Sequence, residues 1–533
     1  MPEQLHQLIE NSAARYPDST ALVSKATQLN YRELWQAVQA AAFGLANSGL
    51  QENQRVALYL PKVSEAVVGC FGTSLAGGVF VPINPLLKPA QVKHILLDCN
   101  VHTFITSTDR LVNLQDTLSG CPALKNIVYI GRNPTDEKIE QPHSSKFIPW
   151  EEIAGTQPDS YHSSARIDTD MAAILYTSGS TGKPKGVVLS HRNMLCGADS
   201  VVQFLQNTRD DRLLAVMPFS FDYGFSQLTT AFLVGAQVIM LDYLFPRDLI
   251  KAVTKHRITG LAAVPPLWNQ LVKLDWPEEA QSSLRYLTNT GGAMPKATTS
   301  KLIQALPNTS IYLMYGLTEA FRSTYLSPEE IHHRPGSIGK AIPNAKVMVV
   351  RKDGSPCLPN EPGELVHMGS LVTLGYWNDP AKTAERFKPA PSQPGELPLA
   401  ETAVWSGDRV YKDEDGFFYF VSRNDEMIKT SGYRVSPSEL EDVLHQSGLV
   451  EDVAALGIPH PELGQAIVVV ASSTSATADD IKQACLRELP SYMQPHIIEL
   501  MRQLPKNTNG KLDRSALKKQ YSKRSREENP ETK

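Results

Sequence analysis

Clustered cysteines, long apolar runs and an excess of either charge are all missing from this 533-residue chain. The six cysteines, Cys70, Cys99, Cys121, Cys196, Cys357 and Cys485, lie far apart and form no CxxC pair. That spacing speaks against a zinc cluster and a disulfide framework, so a reducing compartment is the default. No apolar stretch reaches the ~18–20 residues that a membrane-spanning helix requires. The opening residues, Met1-Pro2-Glu3-Gln4, lack the basic and apolar regions of a secretory signal, and a cytoplasmic location is expected. Lys plus Arg is 52 against 56 for Asp plus Glu, a net charge of −4. This balance argues against a protein built to hold nucleic acid or an anionic membrane, but leaves room for a local phosphate site.

What is present fits a soluble globular protein, with 42% hydrophobic and 20% charged residues. At ~100–200 residues per domain, the length implies two to four structural units. The 37 prolines suggest many short elements joined by firm turns, as in a large α/β enzyme.

Patterning divides the chain. Helical spacing at 31–48 and 65–76 alternates with strand patterns at 55–60 and 78–83, which argues for a largely parallel sheet covered by helices. Residues 134–164 are polar and rich in Pro and Ser, and read as a surface connection. Short β runs at 346–351, 363–367 and 416–421 mark a small β-rich subdomain over 345–424. A smaller α/β unit follows over 425–517, with helices at 437–446 and 478–489 and strands at 453–457 and 466–471. The tail 518–533 is charged, poor in apolar residues and expected to fray. The fold class is therefore α/β: a large body over 1–424 and a small C-terminal unit.

The strongest local signal is Tyr176-Thr177-Ser178-Gly179-Ser180-Thr181-Gly182-Lys183-Pro184-Lys185-Gly186. Its three glycines permit close approach of backbone N–H groups to an anion, and its hydroxyls and lysines add donors and positive charge. The spacing is not that of a Walker loop, yet the chemistry suits a polyphosphate.

This segment resembles the phosphate loop of adenylate-forming enzymes: acyl-CoA synthetases, luciferases and the adenylation domains of peptide synthetases. The resemblance continues in order through Tyr315-Gly316-Leu317-Thr318-Glu319, Gly375-Tyr376-Trp377, Ser406-Gly407-Asp408 (Ser where the family has Thr), the junction Arg423–Lys429, and Asn509-Gly510-Lys511. The runs 80–87 and 315–326 look like AMP-forming ligases associated with exosortase systems. Stand-alone prolyl-adenylating enzymes are the other close resemblance.

The resemblance implies a body with a mobile cap, and the cofactors ATP and Mg²⁺. The enzyme would join a carboxylate to the α-phosphate of ATP, release pyrophosphate, and pass the acyl group to a phosphopantetheine thiol. Thr177, Ser178, Gly179, Ser180, Thr181, Gly182 and Lys185 would hold the β- and γ-phosphates. Thr318 would contact the α-phosphate, and Glu319 would hold the metal. Tyr315, Gly316, Asp408 and Arg423 would complete the nucleotide site, with Asp408 on the ribose hydroxyls. Lys511 would be the catalytic lysine that bridges two anions, a role for which a fixed cation is physically needed. Asp425 would be the hinge and Gly432 would line the pantetheine passage.

Positions matching the substrate pocket are Phe221, Asp222, Tyr223, Ser226, Ala263, Thr288, Thr290, Gly291, Met314, Arg322 and Ser323. A buried carboxylate needs a partner, and the ammonium of an amino-acid substrate would serve Asp222. Arg322 leaves alternatives open, since it could pair with Asp222 or recognise a second carboxylate on the substrate. The expectation is an amino-acid adenylating ligase, with L-proline as best guess, loading a carrier protein in trans. The alternative is an acyl-CoA or aryl-CoA synthetase using free CoA.

Overall fold

Local signals begin the elements. Helix Tyr31–Asn47 starts at Asn30, whose side chain accepts from the Glu33 N–H while the Glu33 carboxylate takes the Asn30 N–H. This reciprocal cap satisfies two donors that a helix start leaves open. Ser190 and Asn193 make the same arrangement at helix His191–Leu205. The computed structural model describes residues 2–528 except 26, 88, 143–144, 156–165, 178–183, 293, 395, 424–427, 431–432, 436, 461–462, 490–492 and 509.

Two large sheets build the body. The first runs in space through Gly375–Tyr376, Lys185–Ser190, Met171–Thr177, Val79–Pro82, Arg55–Tyr59, Thr103–Ser107, Asn126–Ile130 and Lys146–Pro149. From Met171–Thr177 to Lys146–Pro149 all neighbours are parallel, as the strand–helix alternation predicts. The pair Met171–Thr177 and Lys185–Ser190 is antiparallel, so the glycine-rich segment connects a hairpin at one end of a parallel sheet.

The second sheet has a parallel centre of Gln237–Met240, Arg212–Ala215, Gly260–Ala263, Tyr286–Asn289 and Ser310–Tyr315. It continues antiparallel through Thr324–Leu326 and Ser337–Ala341 into Phe418–Arg423, Thr402–Lys412, Gly363–Met368 and Lys346–Val350. The β-rich region therefore exists as expected, but it extends the body's own sheet.

Among the described residues, the C-terminal unit has a five-stranded sheet that pairs only within itself. Its two long strands, Asp452–His460 and Gly464–Ser472, alternate inward faces with a period of two. Val453, Ala455, Ile467 and Val469 pack against helices Pro437–Gln446 and Ala478–Glu488. Ala454, Leu456, Val468 and Val470 face Leu517 and Tyr521.

Two expectations are corrected. Within 134–164, Lys146–Pro149 forms a strand and Trp150–Ala154 a helix. Buried Ile148, Trp150 and Ile153 supply the apolar faces that the surrounding polar residues conceal. The tail does not fray at 518, because helix Arg514–Glu528 runs through it and Leu517 and Tyr521 anchor the helix beneath the sheet. Two well-placed apolar residues were sufficient.

Helix Trp150–Ala154 packs on helix Tyr31–Asn47 at Gly44, where a β-carbon would stand 2.1 Å from the Ile153 carbonyl oxygen. No side chain fits against that backbone. Gly44→Ala should lower stability by about 1–3 kcal/mol through overpacking, read as a lower thermal unfolding midpoint. An unchanged midpoint would show that the two helices separate at no cost.

Candidate active site

The hairpin brings Thr177 and Lys185 directly opposite each other. Lys185 Nζ donates to Glu319 Oε1 at 3.1 Å and to the Tyr376 hydroxyl at 2.8 Å. Tyr376 in turn donates to the same carboxylate oxygen at 2.5 Å. Glu319 arrives from the 3₁₀ turn Thr318–Ala320, just after strand Ser310–Tyr315. Tyr376 arrives from a two-residue strand that pairs with Val187 and Val188. Burial pushes the Glu319 carboxyl up, but the Lys185 charge and the Tyr376 and Lys185 hydrogen bonds outweigh it and hold the group below the usual range. Burial is also the main effect on Lys185, and lowers its pKa despite the attraction of Glu319.

A charged carboxylate with one oxygen engaged by hydrogen bonds is a hard donor of the kind Mg²⁺ takes together with phosphate oxygens. Among the described residues no group of three His, Cys, Asp or Glu could hold a metal. That donor set suits a cation shared with a polyphosphate. Thr177 Oγ1 is buried without a protein partner, which fits an oxygen-rich ligand beside the strand end. Ser178, Gly179, Ser180, Thr181 and Gly182 lie outside the described residues.

Asp408 sits in strand Thr402–Lys412, nearly fully buried, and accepts from the Tyr315 hydroxyl. Its N–H donates to Ser406 Oγ, whose own proton goes to the Leu365 carbonyl. The serine hydroxyl makes both bonds, so the Ser-for-Thr departure removes only a methyl group. Arg423 is the ladder partner of Asp408. The structure thus sets Asp408 and the Arg423 backbone on one strand pair and brings the Tyr315 hydroxyl to them from the end of strand Ser310–Tyr315.

Lys511 crosses from the C-terminal unit to the body. A β-carbon on Gly291, whose φ is +82°, would meet Lys511 Cε at 3.1 Å and Val264 Cγ1 at 3.3 Å. The lysine stem therefore occupies space that any side chain at 291 would take. Lys511 Nζ lies 5.3 Å from the centre of the Phe221 ring. The turn is stiff: the Lys511 N–H donates to Asn507 Oδ1, and the Asn507 N–H to the Lys511 carbonyl. Asn84 of the body donates to the Thr508 carbonyl at 2.6 Å, joining body and turn.

The expected substrate pocket is already internally bonded. Arg322 Nη1 lies 3.3 Å from Asp222 Oδ2, and Nη2 donates to Ser226 Oγ at 2.9 Å. The guanidinium also stands 4.9 Å from the Tyr223 ring centre. Arg322 is 2% exposed and Asp222 5%. Tyr223 bonds to Thr288 through its hydroxyl. Burial raises the Asp222 pKa against the opposing charges of Arg322 and Lys511. The carboxylate expected to await a substrate ammonium already has a cation, which is one of the two roles left open for Arg322. Ala263, Thr290, Met314 and Ser323 are buried nearby in sequence-adjacent strands and turns. His367 Nδ1 and Ser323 Oγ lie 2.9 Å apart. Asp425 and Gly432 lie outside the described residues.

Tyr376 was not singled out as a site residue from sequence. Its signal was its place in the Gly-Tyr-Trp turn, but only the fold carries that turn to Glu319.

The comparisons with known proteins agree with this geometry. Residues 9–377 match the model of the AMP-binding enzyme family, and residues 439–511 that of the AMP-binding enzyme C-terminal domain. The chain belongs to the AMP-binding enzyme family. It is 30% identical to the long-chain-fatty-acid–CoA ligase of Escherichia coli O157:H7, over 97% of this chain and 94% of that one. It is 29% identical to gramicidin S synthase 2 of Brevibacillus brevis, over 97% of this chain but 11% of that protein. In fold it resembles the anthranilate CoA ligase AuaEII in complex with anthranoyl-AMP, at a TM-score of 0.88 and 23% identity, covering 98% of this chain and 99% of that one. A second match is MenE of Bacillus subtilis with ATP and magnesium, at 0.79 and 23%, covering 96% and 99%. The family enzyme is an adenylate-forming acid–thiol ligase that consumes ATP. Among the described residues no helix is long and apolar enough to cross a membrane.

The buried pair gives a test of its own. Arg322→Met leaves the Asp222 carboxylate without its partner and should cost about 3–5 kcal/mol. Adding Asp222→Ala should recover much of that loss in denaturant unfolding. A double variant no more stable than Arg322→Met would mean the two side chains are not coupled.

Proposed function

We propose that this ligase activates a monocarboxylic acid lacking an ammonium group and transfers it to free CoA. The observation that carries this reading is the Asp222–Arg322 pair. An α-amino acid would have to displace a guanidinium that also bonds Ser226 and the Phe321 carbonyl. Prolyl activation loses its main support on that ground, and a neutral acyl group meets no such cost. Relatives of both kinds match along the chain, and the acyl-CoA ligase, matched over 94% of its length against 11% for the peptide synthetase, favours this reading.

A cavity of about 590 Å³ supports CoA as the thiol. Its walls are largely apolar, including Leu58, Ile83, Met217 and Leu267, and Thr508 and Gly510, close to Lys511 in the chain, also line it. Lys62 and Arg110 also line it. Lys62 pairs with Asp242 at 2.6 Å, so Arg110 provides the net positive charge. A narrow uncharged arm carrying an anionic nucleotide suits largely apolar walls with one net positive charge.

In the first step a carboxylate oxygen of the acid bonds to the α-phosphorus and the bond to the pyrophosphate oxygen breaks. Lys511 places positive charge between the two anions as they meet. Lys185 and Thr177 hold the leaving phosphates, Thr318 the α-phosphate, and Asp408 the ribose. Glu319 would hold Mg²⁺, which supplies charge neutralisation to the phosphates when bound. In the second step the thiolate attacks the acyl carbonyl and AMP leaves with the bonding electrons.

Acid-dependent ATP–pyrophosphate exchange tests the acid. Monocarboxylic acids without an amine should support it, and exchange confined to amino acids would overturn the reading. Lys511→Ala should lower exchange by at least ~10²-fold, as loss of a transition-state charge contact does, with the unfolding midpoint unchanged. Undiminished exchange would remove Lys511 from the chemistry. Arg110→Ala should raise the KM for CoA and leave exchange intact, whereas an unchanged KM would detach the cavity from the thiol.

A further inference from the structure

Helix Pro89–Asp98 belongs to no motif that marked the nucleotide site, yet it touches both stems of the phosphate hairpin. His94 and Asp98 are four residues apart and so share one face of the helix. His94 Nε2 lies 3.0 Å from the carbonyl oxygen of Pro184, the residue before Lys185. The carboxylate of Asp98 accepts from the hydroxyl of Tyr176, the residue before Thr177. Cys99 Sγ is 3.2 Å from the same hydroxyl, and the His94 ring meets the Tyr176 ring edge-on. One helix face thus holds the neighbours of the two residues that the ladder sets opposite each other.

The grip reaches a third strand. The Asp98 carbonyl accepts from Trp377 Nε1 and Asn378 Nδ2, each at 2.8 Å. Trp377 directly follows Tyr376, which holds Lys185 and Glu319. Gly186 lies under this assembly, where a β-carbon would come within 3.1 Å of Tyr176 Cζ and 3.3 Å of Trp377 Cβ. The helix is itself seated in the core through Val92, Ile95 and Leu96. A carbonyl and a phenol bonded to a helix anchored in the core by one face are restrained, and Lys185 and Thr177 inherit that position.

We infer that His94 and Asp98 are positioning residues for the phosphates of ATP, acting through Pro184 and Tyr176. The inference rests on the nucleotide reading of the hairpin. The histidine must present an N–H at Nε2, which the corresponding neutral tautomer and the imidazolium both do. Neither residue touches the acid or the thiol in this scheme, so the effect falls on one substrate.

His94→Ala and Tyr176→Phe should each raise the KM for ATP roughly three- to tenfold, the range expected for one lost hydrogen bond. The KM values for acid and CoA and the unfolding midpoint should hold. His94→Gln keeps an N–H donor and should restore much of the affinity. Lys185→Ala serves as the control. If it raises the KM for ATP while His94→Ala and Tyr176→Phe do not, the positioning role is wrong and the nucleotide reading stands. If Lys185→Ala leaves that KM unchanged, both fall. Equal changes in all three KM values and kcat would show a merely structural role and also overturn the inference.

Discussion

A carboxylate and a phosphate repel each other, and in the proposed reaction a cation borrowed from the other unit would meet this constraint. Lys511 lies over Gly291, where the missing side chain gives its stem a channel. The remaining arrangement follows from that crossing. The Asn507 bonds stiffen the turn, Asn84 ties it to the body, and the Phe221 ring faces the ammonium. On the body's side, Lys185 and Glu319 neutralise one another beneath Tyr376. Phosphates and a metal ion would enter between charges already balanced locally. The small net charge of the whole chain is therefore compatible with a strongly charged site.

The acid-binding region shows the opposite economy. Asp222 and Arg322 are both withdrawn from water, and each offsets part of the other's desolvation. Tyr223 and Ser226 complete the enclosure through ring and hydroxyl contacts. A pair already bonded to each other and to Ser226 offers less to a charged substrate group than a lone carboxylate would. On the proposed reading, selectivity would fall to shape and to exclusion of competing ions rather than to one carboxylate.

Much of this was legible in the sequence, because the phosphate loop, Tyr315–Glu319, Asp408 and Lys511 each carry a local pattern. Strands at 55–60 and 78–83 and the helices around them followed from apolar periodicity. The unreadable part consists of pairings between distant segments. Asp222 advertises an unpaired carboxylate until Arg322, 100 residues on, is folded against it. Tyr376 needs the hairpin beneath it before its hydroxyl meets Glu319. Trp150 and Ile153 hide inside a polar stretch, and Tyr521 inside a charged one, because burial of one or two side chains leaves no periodic trace. His94 and Asp98 had no motif at all; only their shared helix face, placed beside the hairpin, gives them meaning.

The anchoring of helix Arg514–Glu528 has a mechanical consequence. It starts three residues after Lys511, and Arg514 is bonded to Glu441 and to the Ala455 carbonyl. Leu517 and Tyr521 fix the helix to the sheet. The lysine is thus a tooth cut into a rigid wheel, with no slack between them. Its engagement with Gly291 follows the orientation of the whole small unit, so a rotation of that unit would deliver or withdraw the charge in one movement.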